Sequence, residues 1–448
     1  MIPKKYPITC HTNHVGHKST FVAIKGFFTD GNKYIEQAIK KGAKKIISQV
    51  CDPEIIKLCT EQNIQFKQVK NSRITLAKEC AKTLNTKNTK TKIIGITGTK
   101  GKTTTTYIIE HILRSSNLKT ALIGTIKNKI LNQEIESINT TPESDFLHMF
   151  LNQCDKKKVD YLIMEVSSHA LSLHRTYGLK FDAVGFTNLA QEHLDFYKTM
   201  IKYFQAKLKI FNQLKKEAAA IVNIDDVWGK KAAEQIKNKK TNIITLSQKT
   251  FSLVKKHIPK HMPGKFNLYN FSMAYLICKN LGIEKESILN AIKNFPGVPG
   301  RLQQHILKNG AKAFIDYAHN PSSMEEVLKT LRPLTKNLIT VFGCGGDRDK
   351  TKRSIMGKIA EKYSNFTIIT NDNPRNENPK KIISDILSGI KKTKNIKVIQ
   401  NRKNAITFAA KKSNPKSIIA ILGKGHETYH LIKRKKYHFD DFEEISKY

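Results

Sequence analysis

The residues of this chain best equipped for chemistry form one run, Gly98-Thr99-Lys100-Gly101-Lys102-Thr103-Thr104-Thr105-Thr106. It follows an apolar, β-rich stretch over 92–97 and opens a helical-looking segment over 107–113. A glycine-rich turn lets backbone N–H groups approach phosphate oxygens, and the N-terminus of the following helix adds positive potential. Lys102 can reach β- and γ-phosphates while the Thr103 hydroxyl holds Mg²⁺. The spacing departs from G-x-x-x-x-G-K-[ST], whose first glycine would fall on Ile96. The strand before and the helix after argue against an ordinary glycine turn, so a bound nucleoside triphosphate is expected.

Other polar clusters sit where apolar strands end. Tyr161-Leu162-Ile163-Met164 runs into Glu165-Val166-Ser167-Ser168-His169, and a carboxylate at such a strand end near a phosphate loop suits Mg²⁺. The next strand leads to Thr187-Asn188-Leu189-Ala190-Gln191-Glu192-His193-Leu194-Asp195, where His193 can hold a second metal and Asp195 can orient it or cap a helix. Lys207 lies in an amphipathic-looking helix over 203–211, where a lysine is ordinarily a solvated surface charge. Near the end of the chain come Asp316-Tyr317-Ala318-His319, Gly345-Gly346-Asp347-Arg348, Asp372-Asn373-Pro374-Arg375 and Gly423-Lys424-Gly425-His426-Glu427. Two arginines and a glutamate facing one crevice suit a zwitterion, since arginine pairs with carboxylate bidentately and glutamate takes the ammonium. Turn chemistry with surface charges is the plainer alternative.

The rest of the composition bounds what these residues serve. At 448 residues the chain is too long for one core and predicts two to four domains. No apolar run approaches the roughly 18 residues a membrane span needs, and the first residues lack a signal-peptide core, so a cytoplasmic protein without membrane contact is expected. Cys10, Cys51, Cys59, Cys80, Cys154, Cys278 and Cys344 are scattered, odd in number and never in a C-x-x-C pair, which fits reduced thiols. A net charge of +41, from 78 Lys and Arg against 37 Asp and Glu, suggests nucleic acid on its face. The lysines are spread evenly among Asn and Ile, and no aromatic-interleaved basic stripe appears, so no nucleic-acid partner is expected.

The elements that position these residues read as α/β in three domains. Residues 1–88 form a small α/β unit with strands near 20–24 and 43–49, followed by a polar stretch, 85–91, that reads as a linker. Residues 89–299 alternate strands and helices as a parallel-sheet ATPase domain, with strands expected at 92–97, 120–125, 159–166, 181–188, 218–224 and 242–247. After the breaker cluster 295–300, residues 300–448 resume the alternation as a Rossmann-like α/β domain, with strands near 311–317, 338–343, 366–371, 396–400 and 417–422. Ligands of such sheets bind at the carboxyl ends of the strands, where the polar clusters fall.

Taken together, the motifs resemble a known family. Gly-Thr-x-Gly-Lys-Thr, Met-Glu-Val-Ser-Ser-His, Asn-Leu-x-x-x-His-Leu-Asp, Pro-Gly-Arg, Asp-Tyr-Ala-His and Gly-Lys-Gly-His-Glu occur in the order found in Mur ligases, over residues 20–440. Within the family the chain is most similar to the MurE branch, which adds the third residue to UDP-N-acetylmuramoyl-L-alanyl-D-glutamate. Asp372-Asn373-Pro374-Arg375 resembles the signature of the meso-diaminopimelate-adding form, and the lysine-adding form lacks that arginine.

The resemblance implies an ATP-dependent amide ligase of peptidoglycan synthesis, working as a monomer. The D-glutamate carboxylate would attack the ATP γ-phosphate, and the diaminopimelate amine would attack the resulting acyl phosphate. Gly98, Thr99, Lys100, Gly101, Lys102, Thr103 and Thr104 would bind ATP, with Asn267, Asn270, Arg301, Asp316 and His319 near the nucleotide. Thr103, Glu165 and His193 would hold Mg²⁺, and Lys207 matches the lysine that CO₂ converts to a metal-binding carbamate; Lys102, Lys207 and His193 would be catalytic. Asn139, Thr140, Thr141, Ser167 and Arg175 match positions holding the UDP-muramoyl peptide. Arg348, Asp372, Asn373, Pro374, Arg375, Gly423 and Glu427 match the diaminopimelate pocket. One region departs: the family's Asp-Ser-Arg is His11-Thr12-Asn13 here. Thr12 keeps a hydroxyl for the uridine end, or Phe27, Phe28 and Thr29 carry that contact instead. The competing readings are a lysine-adding or folylpolyglutamate synthase-like ligase and a basic nucleic-acid-binding ATPase.

Overall fold

The computed structural model describes residues 2–27, 29–237, 241–391 and 394–448. Phe28 lies outside the described residues. A four-stranded parallel sheet comes first, β1 (Ile8–Thr9), β2 (Ser19–Val22), β3 (Ala43–Ser48) and β4 (Gln65–Gln68), in that order. The two expected strands here are β2 and β3, whose Phe21, Val22, Ile46 and Ile47 are buried on both faces. The flanking pair was not legible: β1 is two residues long and β4 presents one partly buried aromatic among polar residues.

The central sheet has eight strands: β5 (Lys92–Thr97), β6 (Thr120–Ile123), β7 (Lys127–Ile130), β8 (Gln133–Glu136), β9 (Tyr161–Glu165), β10 (Phe181–Phe186), β11 (Leu214–Asn223) and β12 (Asn242–Leu246). Their order is β12-β11-β10-β5-β9-β6-β7-β8, parallel from β12 to β6 and closed by the antiparallel β7–β8 hairpin. Near-continuous apolar runs such as Ile93–Ile96 and Leu162–Met164 mark strands buried on both faces. The strand expected from residue 218 begins earlier, at Leu214. Its register slips between Phe181 and Ala183, and its first half is polar and exposed, which hid it from an apolar-run reading. The polar stretch 85–91 is tied down: Thr86 Oγ1 lies 2.6 Å from His148 Nδ1, and the Thr89 and Thr91 hydroxyls donate to Asp155 Oδ1 at 2.7 and 3.0 Å.

A third sheet comprises β13 (Gln303–Ile306), β14 (Lys312–Asp316), β15 (Asn337–Phe342), β16 (Phe366–Ile369), β17 (Ile396–Val398) and β18 (Ser417–Leu422), in the order β13-β14-β18-β15-β16-β17. Only its edge strand β13 is antiparallel. A separate hairpin, β19 (Tyr429–Ile432) and β20 (Lys435–His438), follows. The chain divides into two compact units, one comprising Met1–His257 with Tyr269–Ile292, the other Ile258–Leu268 with Lys293–Tyr448. Among the described residues no helix is long and apolar enough to cross a membrane.

Candidate active site

In the first unit, β5, β9, β10 and β6 end side by side, so four loops far apart in sequence meet at one sheet edge. The loop after β5 carries the phosphate-cradle residues and leads into the helix Lys102–Ser115. Gly98 and Gly101 have φ of 146° and 85°, values that disfavour any side chain. A Cβ on Gly98 would overlap the Thr187 hydroxyl, and one on Gly101 would sit 2.5 Å from Asn270 Oδ1. Loop 187–190 braces the turn: Asn188 Oδ1 accepts from Lys100 N at 3.0 Å, the Thr187 hydroxyl donates to Lys100 O at 2.7 Å, and Thr99 Oγ1 accepts from Ala190 N at 3.0 Å. Lys102 Nζ donates to the Gly98 and Thr99 carbonyls at 2.9 Å each, which holds its charge over the cradle. Thr104 is buried at the start of the helix.

Glu165 ends β9 with its carboxylate almost wholly buried. It accepts from the Thr103 hydroxyl at 3.0 Å, from Thr125 N at 2.8 Å and from the Thr125 hydroxyl at 3.1 Å. The structure thus brings together Thr103 and Glu165, each expected from sequence near Mg²⁺, and Thr125, just beyond β6, is a member that sequence reading missed.

Lys207 is no solvated charge. It sits in the helix Met200–Leu208, 1% exposed, with Nζ donating to Gly98 O at 2.7 Å and lying 4.9 Å from the Tyr203 ring centre. Burial, with the neighbouring Lys102 charge, holds its ammonium well below the usual lysine range. A signal was present: Tyr203, Lys207 and Ile210 share one face at helical spacing, and all three are buried. His193 caps the start of the short helix Leu194–Tyr197 at φ 57°, with its side chain 42% exposed and its ring 4.7 Å from that of His169. Desolvation lowers its pKa.

On the same edge Thr141 Oγ1 donates to Glu165 O at 2.9 Å and accepts from Ser167 N at 3.0 Å. Arg175 Nη1 donates to Thr141 O at 2.9 Å, and Arg175 also pairs with Glu143 at 2.8 Å. Thr140 lies 3.0 Å from the Thr125 hydroxyl, while Asn139 is exposed. These residues are thus brought together around the Glu165 strand end. Thr12 occupies a 3₁₀ turn, Thr12–His14, just after Thr9 and Cys10, which both bond Asp145. Phe27 is 67% exposed with its ring on that of Phe196, and Thr29 is exposed.

The second unit presents its own row of strand ends, β14, β18, β15 and β16. Asp316 Oδ2 accepts from Leu302 N at 2.7 Å and Oδ1 from Ala318 N at 2.8 Å, and burial raises its carboxyl pKa. The Arg301 guanidinium lies 4.7 Å from the Tyr317 ring centre, and His319 Nδ1 is 2.9 Å from Tyr317 O. Asn267, also of this unit, donates to Pro263 O at 2.9 Å, whereas Asn270 belongs to the first.

Asp372-Asn373-Pro374-Arg375 follows β16. Asn373 Nδ2 donates to Glu427 Oε2 at 2.7 Å, and a Cβ on Gly423 would stand 2.7 Å from Asp372 Oδ2. Arg375, at φ 51°, donates from Nη1 to Gly346 O at 2.7 Å. Burial and the Asp372 charge raise the Glu427 pKa. Arg348 is exposed.

Two family models match this chain, the Mur ligase middle domain over residues 96–278 and the Mur ligase glutamate ligase domain over 300–425. A UDP-N-acetylmuramoyl-L-alanyl-D-glutamate–2,6-diaminopimelate ligase of Clostridium acetobutylicum is 41% identical, with 97% of this chain and 92% of the relative covered. The ligase of that name from Alkaliphilus oremlandii is 42% identical over 96% of this chain and 91% of its own. A solved structure of such a ligase superposes with a TM-score of 0.67 at 27% identity, covering 99% of this chain and 94% of that one. The braced phosphate loop and matches along almost the whole length agree: the chain belongs to the Mur ligase family.

Proposed function

We propose that this enzyme joins meso-diaminopimelate to UDP-N-acetylmuramoyl-L-Ala-D-Glu at the expense of ATP, a step of cell-wall peptidoglycan synthesis. The observation that carries the reading is the convergence of Thr103, Glu165 and the buried Lys207 on one phosphate loop. Near-full-length identity to ligases named for that reaction supports it. The enzyme is read as cytoplasmic and monomeric, with no nucleic-acid or membrane partner.

The donor set fits the groups the reaction needs. Burial lowers the Lys207 pKa and so favours its neutral amine, the form that adds to CO₂ to give a carbamate and release a proton. That carbamate would add a second carboxylate to the site, and Thr103, Glu165, His193 and Lys207 would then hold Mg²⁺, which would supply charge neutralisation between carboxylate and triphosphate. Gly98, Thr99, Lys100, Gly101 and Thr104 shape the cradle, and Lys102 shifts its ammonium from loop carbonyls to phosphate oxygens. Asn270, whose Oδ1 lies against Gly101, would border the nucleotide. Asn139, Thr140, Thr141, Ser167 and Arg175 would orient the D-glutamate carboxylate toward the γ-phosphate, giving an acyl phosphate. Glu427 and Asn373 would take one charged end of the amino acid while Arg375 and Arg348 take a carboxylate, so that its free amine expels phosphate.

Phosphate release from ATP with the UDP-muramoyl dipeptide, comparing meso-diaminopimelate, L-lysine and no amino acid, tests the reading. Release that depends on diaminopimelate upholds it; release with lysine alone overturns the Arg375 assignment. Arg375→Ala is expected to raise the KM for diaminopimelate far more than that for ATP. Loss of one desolvated arginine–carboxylate contact costs roughly 2–5 kcal/mol, and equal effects on both substrates would relocate the pocket. Converting His11, Thr12 and Asn13 together to Asp, Ser and Arg is expected to lower the KM for the UDP-substrate. No change would assign uridine recognition to the loop that includes Phe27 and Thr29.

A further inference from the structure

Lys424 is wholly buried, yet no step above uses it. Its Nζ donates to Asn373 Oδ1 at 3.1 Å and to Tyr429 O at 2.5 Å, and lies 3.5 Å from Glu427 Oε2. Each contact reaches a different part of the candidate amino-acid pocket. Asn373 Oδ1 also accepts from Leu431 N at 2.9 Å, so two donors fix the amide with its NH₂ toward Glu427. Tyr429 and Leu431 belong to β19, whose next contacts hold Arg375: Arg375 N donates to Leu431 O at 3.1 Å, and Lys433 N donates to Arg375 O at 2.8 Å. The left-handed backbone of Arg375 is thereby templated by the hairpin that Lys424 grips.

A neutral side chain would satisfy the geometry only in part, because of the charges around Glu427. Facing that carboxylate are Asp372 from the loop after β16, the Tyr317 hydroxyl at 3.5 Å, Arg402 from the helix Arg402–Lys412, and Lys424 itself. Asp372 and Glu427 repel one another, and Arg402 is already committed to Asp441 through two bonds of 2.7 Å. Among the described residues Lys424 is the cation left in contact with Glu427. A carboxylate must be ionised to accept an ammonium, and loss of a touching cation disfavours the ionised form.

We propose that Lys424 is a positioning and specificity residue: it aims Asn373, steadies the hairpin behind Arg375, and keeps Glu427 charged for the ammonium of a zwitterionic substrate. The role of Glu427 rests on the function proposed above; the arrangement of Lys424 does not. Two measurements on the full chain separate them. An isotope-edited NMR titration of the Glu427 carboxyl needs no substrate, and in Lys424→Met its midpoint should move to higher pH; an unmoved midpoint overturns the proposal. If the methionine variant fails to fold, Lys424→Gln, which keeps a donor without the charge, gives the same readout.

Kinetics then test specificity. Lys424→Met should raise the KM for diaminopimelate about 30-fold or more while the KM for ATP holds. The rise should be steepest at low pH, where a displaced Glu427 is protonated. In a Glu427→Gln background the same change should add less than in the wild type, because the positioning of Asn373 and the hairpin is still lost but no charge remains to sustain. Equal increments in both backgrounds would overturn the claim that Lys424 keeps Glu427 charged. A shifted midpoint in an enzyme that does not turn over diaminopimelate would uphold the wiring and overturn the substrate assignment.

Discussion

Lys207→Ala is expected to reduce turnover by at least about 10²–10³-fold, the scale on which a preorganised charge group contributes, and a short carboxylic acid is expected to restore part of it. The truncation removes the amine that CO₂ would modify and leaves a cavity beside Gly98 O, where Lys207 Nζ now sits at 2.7 Å. A small carboxylate entering that cavity stands in for the carbamate. The direction of the pKa shift matters to this result. A lysine of ordinary pKa would be protonated at neutral pH and inert to CO₂, whereas burial and the Lys102 charge depress this one. Both effects raise the fraction of neutral amine at a given pH relative to an ordinary lysine. Wild-type rates should rise with added bicarbonate after the protein has been held CO₂-free at low pH, where the carbamate reverses. Full activity of the alanine variant would remove the carbamate from the mechanism.

Glu165→Gln is the second large effect. Glutamine has the shape of glutamate, and Thr103 and Thr125 hydroxyls can reverse to accept from its NH₂, so the strand end should keep its structure. The charge is lost, and with it much of the attraction for the divalent cation that the proposed function would hold next to Thr103. The expected outcome is a drop in kcat/KM on the order of 10²–10³-fold, partly recovered as Mg²⁺ is raised. A drop of that size with unchanged Mg²⁺ dependence would mean that Glu165 serves to hold Thr103 and Thr125 and no metal. Unchanged activity would take it out of the site altogether.

The fold was legible where strands are buried on both faces, because an unbroken run such as Ile418–Leu422 has few other uses. It was not legible in the hairpins β7–β8 and β19–β20, whose short polar strands alternate weakly, nor in the first half of β11. The second hairpin matters most, since its backbone fixes Arg375 and its Tyr429 carbonyl holds Lys424. Backbone partners carry no sequence signature.

The sequence by itself determined the phosphate cradle, because glycines, lysine, threonine and helix lie within ten residues of one another and their chemistry needs no distant partner. It also determined the alternation of strands and helices, and with it the strand ends at which Glu165, Asp316, Asp372 and Glu427 stand. Tertiary structure alone decided what each of those side chains faces. Lys207 meets Gly98 across 109 residues, Thr103 meets Glu165 across 62, and Lys424 meets Asn373 across 51. A lysine in an amphipathic helix has the same local pattern whether its ammonium is solvated or buried. Only the parallel sheet, by laying β5, β9 and β10 side by side, removes the water that separates those cases.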